Sequence, residues 1–198
     1  MAGLLAEVLA GVEVGEGIAA GPLTLFPLRR KAVSKADDVA VLEEGISSGS
    51  VTVRETSEVG SVPDVIVENH LKKPLFILEG EEIIGAKQNP VFNISILVPA
   101  AADLKVPVSC VEAGRWHHKS RRFSSGTRAS ARIQRDLKRS VNFSTRRKAD
   151  DYHSDQGQVW RNVAEGLTST GSVSDSAALH AAYEKRAHDF EKVERKLE

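Results

Sequence analysis

Two polar segments carry the side chains whose types and spacing could do chemistry. The first, LEGEEIIGAKQN at residues 78–89, places Glu79, Glu81 and Glu82 beside two glycines and ahead of Lys87. Because glycines permit tight turns and close backbone approach, acidic and basic side chains could converge there. A carboxylate near other carboxylates has a raised pKa and can act as an acid or base, and it can also help to bind a divalent cation. The same spacing fits a hairpin with a solvated charged turn.

The second segment, SCVEAGRWHHKSRRF, spans residues 109–123 and is strongly basic. The guanidinium of Arg115 could bind phosphate or carboxylate through two parallel hydrogen bonds. Trp116 offers a flat face for a base or a sugar. Basic and aromatic side chains together are typical of phosphate and nucleotide contacts. A basic loop packed on acidic neighbours, with Trp116 as a buried anchor, fits the same residues.

Cys110 is the one cysteine of the chain and lies in an apolar segment, where cysteines are usually inert core residues rather than nucleophiles. His117 and His118 have no companion His or Cys at zinc-site spacing, so no metal site is predicted. The P-loop, GxGxxG and GxSxG fingerprints are absent from the sequence. The residues alone therefore leave open the reaction, any cofactor and whether the chain is an enzyme.

Strands must position both segments. LTLFPL, VTVRET, PDVIVEN, PLFILEG, VFNISILVPA and LKVPVSCV are short and rich in Val, Ile, Leu and Phe, and Gly, Pro, Asn and charged turns separate them. This pattern predicts an antiparallel, sandwich-like sheet over residues 12–112. Within it, IVENHLKKPLFI predicts a hairpin with its loop at residues 69–73. Residues 2–10 are predicted as a short helix before the strands.

The second half of the chain is predicted to be mainly helical. Residues 113–125 are polar and are predicted as an exposed basic loop, and residues 126–198 are predicted to form three helices. Ser154 is the predicted N-cap of the second helix, and the third is predicted to begin at Ser174. The apolar stripes are Ile133, Leu137 and Val141, then Val159, Val163 and Leu167, then Leu179, Tyr183, Ala187, Phe190, Val193 and Leu197. This order predicts the α+β class within a single domain of residues 1–198.

Charge is unevenly distributed, although the formal net charge is zero. Residues 113–150 carry 12 basic and 2 acidic side chains, between two segments that are net acidic. The zero sum argues against a dedicated nucleic-acid binder, while the basic segment could bind phosphate groups or the protein's own acidic surface. Because the N-terminus lacks a basic n-region and no apolar run has membrane-spanning length, the sequence predicts a cytoplasmic protein without membrane association.

Several motifs in a fixed order make the chain resemble the ARPP-1 family, the ARG and rhodanese-phosphatase-superfamily-associated protein domain. These motifs are GPLTLFPL, SVPDVIVEN, LEGEEIIGAKQN, VPVSCVEAGRW, SDQGQVW and the final helix with Tyr183, and they extend from about residue 12 to the end of the chain. The resemblance implies a role in NAD- and ADP-ribose-related metabolism. The family is assigned that role by the genes and domains that accompany it, which is an association rather than a mechanism.

Carried onto this chain residue by residue, the resemblance implies one polar site. The positions that match family motifs are Glu81, Gly85, Lys87, Gln88, Asn89, Cys110, Glu112, Gly114, Arg115, Trp116, Asp155, Gln156 and Trp160. Among them, the expected catalytic residues are Glu81, Glu112 and Asp155, although an Asp at a helix start also favours the helix dipole. The expected ligand-binding residues are Lys87, Gln88, Asn89, Arg115, Trp116 and Gln156.

Departures from the family pattern bear on activity. An arginine is expected after GAKQN, where this chain has Pro90, and a glutamine is expected in CVExGRW, where it has Ala113. Loss of both could weaken anion binding or abolish an activity. A further strand-rich stretch is expected after Glu198. A sheet without that strand would have an open edge through which the chain could oligomerise.

Three hypotheses of function follow. In the first, the chain binds or processes a phosphorylated nucleotide such as an ADP-ribose- or NAD-derived ligand, with Lys87 and Arg115 neutralising phosphates and Trp116 stacking on the base. In the second, the chain is a non-enzymatic interaction module whose basic 113–150 segment binds an acidic partner or nucleic acid. In the third, the chain is a degenerate, inactive paralogue, as Pro90 and Ala113 suggest.

Overall fold

The computed structural model describes residues 6, 9–30, 38–56, 63–115, 120 and 122–197. It confirms the predicted α+β class, because a β-rich part is followed by three long helices. The predicted helix at residues 2–10 falls mostly on positions outside these ranges, and so do Trp116, His117 and His118. No helix in the described ranges is long and apolar enough to cross a membrane.

The chain divides into two compact units, one formed by Met1–Asp37 with Arg186–Glu198 and the other by Asp38–Lys185. The described part of the first unit contains two antiparallel strand pairs. Strand β1 (Val12–Val14) pairs with β4 (Leu28–Arg30), and β2 (Ile18–Ala20) pairs with β3 (Leu23–Leu25). All of the predicted site residues belong to the second unit.

Two sheets form the framework of the second unit. The larger sheet consists of β6 (Val51–Glu55), β7 (Asp64–Asn69), β9 (Glu81–Ile84), β10 (Pro90–Phe92), β12 (Ala102–Cys110) and β13 (Ser124–Arg128). Its strands are antiparallel and follow the order β13-β9-β10-β12-β7-β6. The smaller sheet consists of β5 (Ala40–Val41), β8 (Leu75–Ile77) and β11 (Ile96–Val98), with β8 in the middle. A short helix, α1 (Leu42–Ser47), follows β5.

The hairpin predicted over residues 66–77 is wrong, because its two strands belong to different sheets. β7 pairs with β6 and β12, whereas β8 pairs with β11 and β5. The buried amide of Asn69 redirects the chain between the sheets. Its nitrogen donates to the carbonyls of Lys73 and Pro99, and its oxygen accepts from the main-chain N–H of Leu71. These bonds satisfy the polar groups of a tight corner, so the chain leaves the larger sheet instead of folding back on it.

The three long helices are α2 (Ala131–Arg147), α3 (Gln156–Thr170) and α4 (His180–Leu197). Three predictions about boundaries are wrong. The N-cap of α3 is Asp155, whose carboxylate accepts from the N–H of Gln158, while the hydroxyl of Ser154 contacts that of Ser109 at 2.5 Å. Helix α4 begins six residues after the predicted Ser174. Residues 124–128 form strand β13, where the sequence predicted the end of the loop and the start of the helical part, because they pair with β9.

Apolar side chains pack on both faces of the larger sheet. Adjacent residues of a strand point to opposite faces, and on β10 Phe92 belongs to one apolar cluster and Val91 to another. The Phe92 cluster contains side chains of both sheets. The Val91 cluster contains Ile133 and Leu137 from the predicted stripe of α2 and the whole predicted stripe of α3, which is Val159, Val163 and Leu167. The helices therefore cover the face to which Val91 points.

Candidate functional site

The loop of residues 85–89 connects β9 to β10 and has an unusual backbone. Gly85 has φ +146° and Ala86 has φ +41°. Gly85 is packed closely as well, because a Cβ atom there would lie 2.6 Å from both the carbonyl oxygen of Arg122 and the hydroxyl of Ser120. Its N–H donates to Oδ1 of Asn89 across the loop at 3.2 Å. Only glycine adopts this conformation in this space at low cost.

The guanidinium of Arg115 holds the loop from inside. Arg115 is 8% exposed, and it donates to the carbonyl oxygens of Ala86 at 2.6 Å and Gly85 at 3.2 Å, and to Oδ1 of Asn89 at 2.8 Å. Its Nε and Nη2 also donate to Oε2 of Glu112 at 2.9 and 2.7 Å. These contacts make Arg115 the side chain that fixes the shape of the loop.

Glu112 completes this buried ion pair. Its other oxygen, Oε1, accepts from the hydroxyl of Ser176 at 2.6 Å. Burial by itself would raise the pKa of Glu112. Hydrogen bonds from Arg115, Ser176 and the main chain of Asn89, together with the positive charge of Arg115, instead hold that pKa below its ordinary value of 4.5. Glu112 is therefore an ionised, firmly held carboxylate at neutral pH.

Gln88 differs from Asn89 in the same loop because its amide has no hydrogen-bond partner among the described residues. The residue is 2% exposed, and neither Oε1 nor Nε2 makes a hydrogen bond within the part of the chain that the structure describes. Buried amides are normally satisfied, and an unsatisfied polar group typically costs about 1–3 kcal/mol. The adjacent Lys87 is half-buried, and its main-chain N–H donates to Oε1 of Glu55 at 3.1 Å.

Glu82 is a second buried polar group, which the sequence did not single out from its neighbours. It lies opposite Val91 in the larger sheet and is 1% exposed. Its Oε2 accepts from the hydroxyl of Thr127 at 2.6 Å, and Nδ1 of His180 lies 3.8 Å from the same oxygen. Burial raises the pKa of Glu82, and the nearby charge of Glu112 raises it further, against the lowering effects of Thr127 and His180. This carboxyl group can therefore take up a proton more readily than an ordinary glutamate.

Three of the predicted site residues, Asn89, Glu112 and Arg115, are joined by buried hydrogen bonds, and Gln88 is buried next to Asn89 on the same loop. We call these four residues the Arg115 cluster; Lys87 stands on the same loop. Gln156 approaches it from α3, because its amide bonds both the N–H of Cys110 at 2.9 Å and the carbonyl of Cys110 at 2.7 Å. That pair of bonds attaches the start of α3 to the end of β12, two residues before Glu112.

Glu81 and Asp155 have no contact with the Arg115 cluster within the described ranges. Glu81 is at the far end of β9 from the loop, where its Oε2 accepts from the N–H of Leu78 at 3.0 Å, and burial raises its pKa. Asp155 is exposed and caps α3. Trp116 lies outside the described residues. The catalytic roles expected for Glu81 and Asp155, and the stacking role expected for Trp116, stay predictions.

The chemistry of the remaining groups is limited. Burial foremost, and then the charges of Glu55 and Glu112, raise the pKa of the Cys110 thiol to about 12, so almost no thiolate forms at neutral pH. No group of three or more His, Cys, Asp or Glu side chains within the described ranges could hold a metal ion. An open cleft of about 500 Å³ is lined mainly by α2 and the turn after β10, and includes Glu79, Asn93, Lys138 and Tyr152 but none of the predicted site residues.

The comparisons with known proteins give one match. Residues 11–198 match the family model described as ARPP-1, the ARG and Rhodanese-Phosphatase-superfamily-associated Protein domain. Comparisons with curated proteins and with solved structures found no match. The match covers almost the whole chain, including every predicted site residue. The chain therefore belongs to the ARPP-1 domain family.

Proposed function

We propose that this protein binds a phosphorylated nucleotide, in particular an ADP-ribose- or NAD-derived compound, at the Arg115 cluster. The observation that carries the proposal is the buried amide of Gln88, which has no hydrogen-bond partner in the described part of the chain. A glutamine amide presents a donor and an acceptor side by side, which matches the edge of an adenine base or the carboxamide of nicotinamide. A ligand with such an edge would satisfy both atoms at once.

The surroundings of Gln88 support the same proposal. Arg115 holds the loop in one shape through the carbonyls of Gly85 and Ala86, so the amide is pre-organised for a ligand. Lys87, next to Gln88, supplies a positive charge near the phosphates of a nucleotide. Because Gln88 is almost fully buried, a ligand reaches its amide only when side chains packed over it move aside, while Arg115 holds the backbone of the loop in place.

Substitution of Gln88 tests the proposal through two measurements, because stability should not fall whereas the affinity for ADP-ribose should. In Gln88→Leu we expect the free energy of unfolding to stay equal or to rise by about 1 kcal/mol, because an unsatisfied buried polar group is removed. Calorimetric titration should show ADP-ribose binding to the wild type, and at least tenfold weaker binding to Gln88→Leu, a loss of about 1.4 kcal/mol. Weaker binding in an equally stable variant cannot come from misfolding.

Gln158→Leu is the matched control. Gln158 lies on α3 and its amide is paired with Asn162 and Arg161, so its loss should lower stability slightly and leave ADP-ribose affinity unchanged. Equal affinity of wild type and Gln88→Leu would contradict the proposal. So would the absence of a thermal shift with ADP-ribose, NAD and AMP, each tested with and without magnesium.

A second candidate function, binding of an acidic partner, is favoured by the last turn of α2. Arg132, Lys138 and Arg139 each face an acidic side chain of the protein itself. Arg146 and Lys148 are exposed and have no ion pair within the described ranges. If the basic segment binds RNA or DNA, charge reversal at Arg146 and Lys148 should weaken salt-sensitive binding more than reversal at Arg132. No binding to either nucleic acid at low salt would rule out this version.

A further inference from the structure

Two buried polar atoms on the helix-covered face of the larger sheet have no hydrogen-bond partner in the described part of the chain. One is Oε1 of Glu82, whose other oxygen is occupied by the N–H and hydroxyl of Thr127. The other is Nδ1 of His180, the first residue of α4. Oε2 of Glu82 and Nδ1 of His180 are 3.8 Å apart. Two neighbouring unsatisfied groups indicate a place where hydrogen-bonding groups from outside the protein bind.

Both atoms can bond to a hydroxyl group, which donates as well as accepts hydrogen bonds. A carboxylate oxygen such as Oε1 of Glu82 only accepts when ionised. At the other end of the His180 ring, Nε2 lies 3.4 Å from Oε1 of Glu184. Nδ1 of an imidazole accepts a hydrogen bond when it carries no proton and donates one when it does, and a hydroxyl group can bond to either form. The pair therefore suits two hydroxyl groups that stand close together.

We propose that Glu82 and His180 bind the two ribose hydroxyl groups of the nucleoside whose base Gln88 recognises. The inference rests on the proposed function and names the part of the ligand that this second pair would bind. Vicinal ribose hydroxyls are two adjacent donors, and carboxylates are common partners of such hydroxyls. A phosphate group fits less well, because the Glu82 carboxylate would repel it.

Glu112 connects the Arg115 cluster with the pair formed by Glu82 and His180. It is paired with Arg115, accepts a main-chain hydrogen bond from Asn89, and lies close enough to Glu82 for its charge to raise the pKa of that group. Its opposite oxygen is bonded to Ser176, four residues before His180. One buried polar layer thus runs from the loop of residues 85–89 to the start of α4, and a nucleoside is an extended ligand that presents a base and a sugar.

Ligand analogues test the inference without altering the protein. The wild type would be titrated with ADP-ribose and with two analogues, one lacking the 2′ and one lacking the 3′ hydroxyl of the adenosine ribose. We expect at least one analogue to bind tenfold or more weakly than ADP-ribose. In the double variant Glu82→Gln with His180→Asn, that difference should shrink to less than threefold.

Glu165→Gln is the matched control, because this exposed glutamate of α3 forms an ion pair with Arg132 and should leave the discrimination unchanged. If both analogues bind the wild type as tightly as ADP-ribose, ordinary water occupies the pair and the inference fails, while the proposed function stands. If ADP-ribose itself does not bind, the proposed function fails and the inference fails with it. If the folded double variant keeps the full difference in affinity between ADP-ribose and the analogues, other residues contact the hydroxyl groups and the inference is overturned. If the double variant does not fold, the single variant His180→Asn, at the partly exposed start of α4, replaces it in the same comparison.

Discussion

Arg115→Met should lower the free energy of unfolding by about 3–5 kcal/mol at pH 7, the range found when one partner of a buried ion pair is removed. The substitution leaves the Glu112 carboxylate buried without its cation and leaves the carbonyls of Gly85 and Ala86 without their donor. Urea denaturation measures the change. Arg135→Met, at an exposed residue of α2, is the control and should change stability by less than about 0.5 kcal/mol.

The effect of Arg115→Met should depend on pH in a defined direction. In the wild type, the lowered pKa of Glu112 contributes stability above its ordinary value of 4.5, and this contribution is lost as the pH falls through the folded-state pKa. In the variant, burial without Arg115 raises the pKa of Glu112, so protonation favours the folded state. The stability difference should therefore narrow between pH 7 and pH 5. Adding Glu112→Gln should restore part of the loss at pH 7, and full additivity of the two substitutions would contradict the coupling.

Gly85→Ala should destabilise the protein by about 2–3 kcal/mol, because the backbone conformation is one that only glycine adopts readily. The added Cβ would also meet the main-chain oxygen of Arg122 at 2.6 Å, and that atom cannot turn away as a flexible side chain would. Thermal or urea denaturation measures the loss. Calorimetric titration of Gly85→Ala with ADP-ribose should also show weaker affinity than the wild type, because the loop that carries Gln88 is displaced.

Gly166→Ala supplies a control of the opposite sign. This glycine lies within α3 with no atom within 4 Å of an added Cβ, so alanine should stabilise the protein by about 0.5–1 kcal/mol. A Gly85→Ala variant as stable as the wild type would show that the loop adopts another conformation in solution. Such a result would remove the argument for a pre-organised Gln88.

Helices α2 and α3 could be predicted from the sequence because their signal is local. Their stripes recur at four-residue intervals, and Ile133, Leu137, Val159 and Val163 are all buried. The apolar strands could also be predicted because their signal, a short run rich in Val, Ile, Leu and Phe, is local in the sequence. Strand pairing could not be predicted, because it depends on contacts between residues that are far apart in the sequence. By sequence, β8 resembles the second strand of a hairpin after β7, but it pairs with β5 and β11.

The site could be located from the sequence only in part. Two motifs predict Gln88, Asn89, Glu112 and Arg115 as site residues, and the last three meet because β10 pairs with β12. The sequence does not distinguish Glu82 from Glu81. Adjacent residues of a strand point to opposite faces of the sheet, and because both faces are covered, this alternation does not show which glutamate is buried. What distinguishes Glu82 is Thr127 on β13 and His180 on α4, and neither lies near it in sequence. Asp155 and Ser154 differ by one position, which is within the usual uncertainty of a helix start.

The side-chain amide of Gln88 gives the most direct test of the proposed nucleotide site. Its ¹H–¹⁵N signals can be assigned by their absence from the spectrum of Gln88→Leu and then followed as ADP-ribose is added. We predict that both amide protons shift and become protected from hydrogen exchange, because the ligand supplies hydrogen-bond partners that this buried amide lacks among the described residues. Signals that stay unchanged up to millimolar ADP-ribose would contradict the assignment of Gln88 as the group that recognises the ligand.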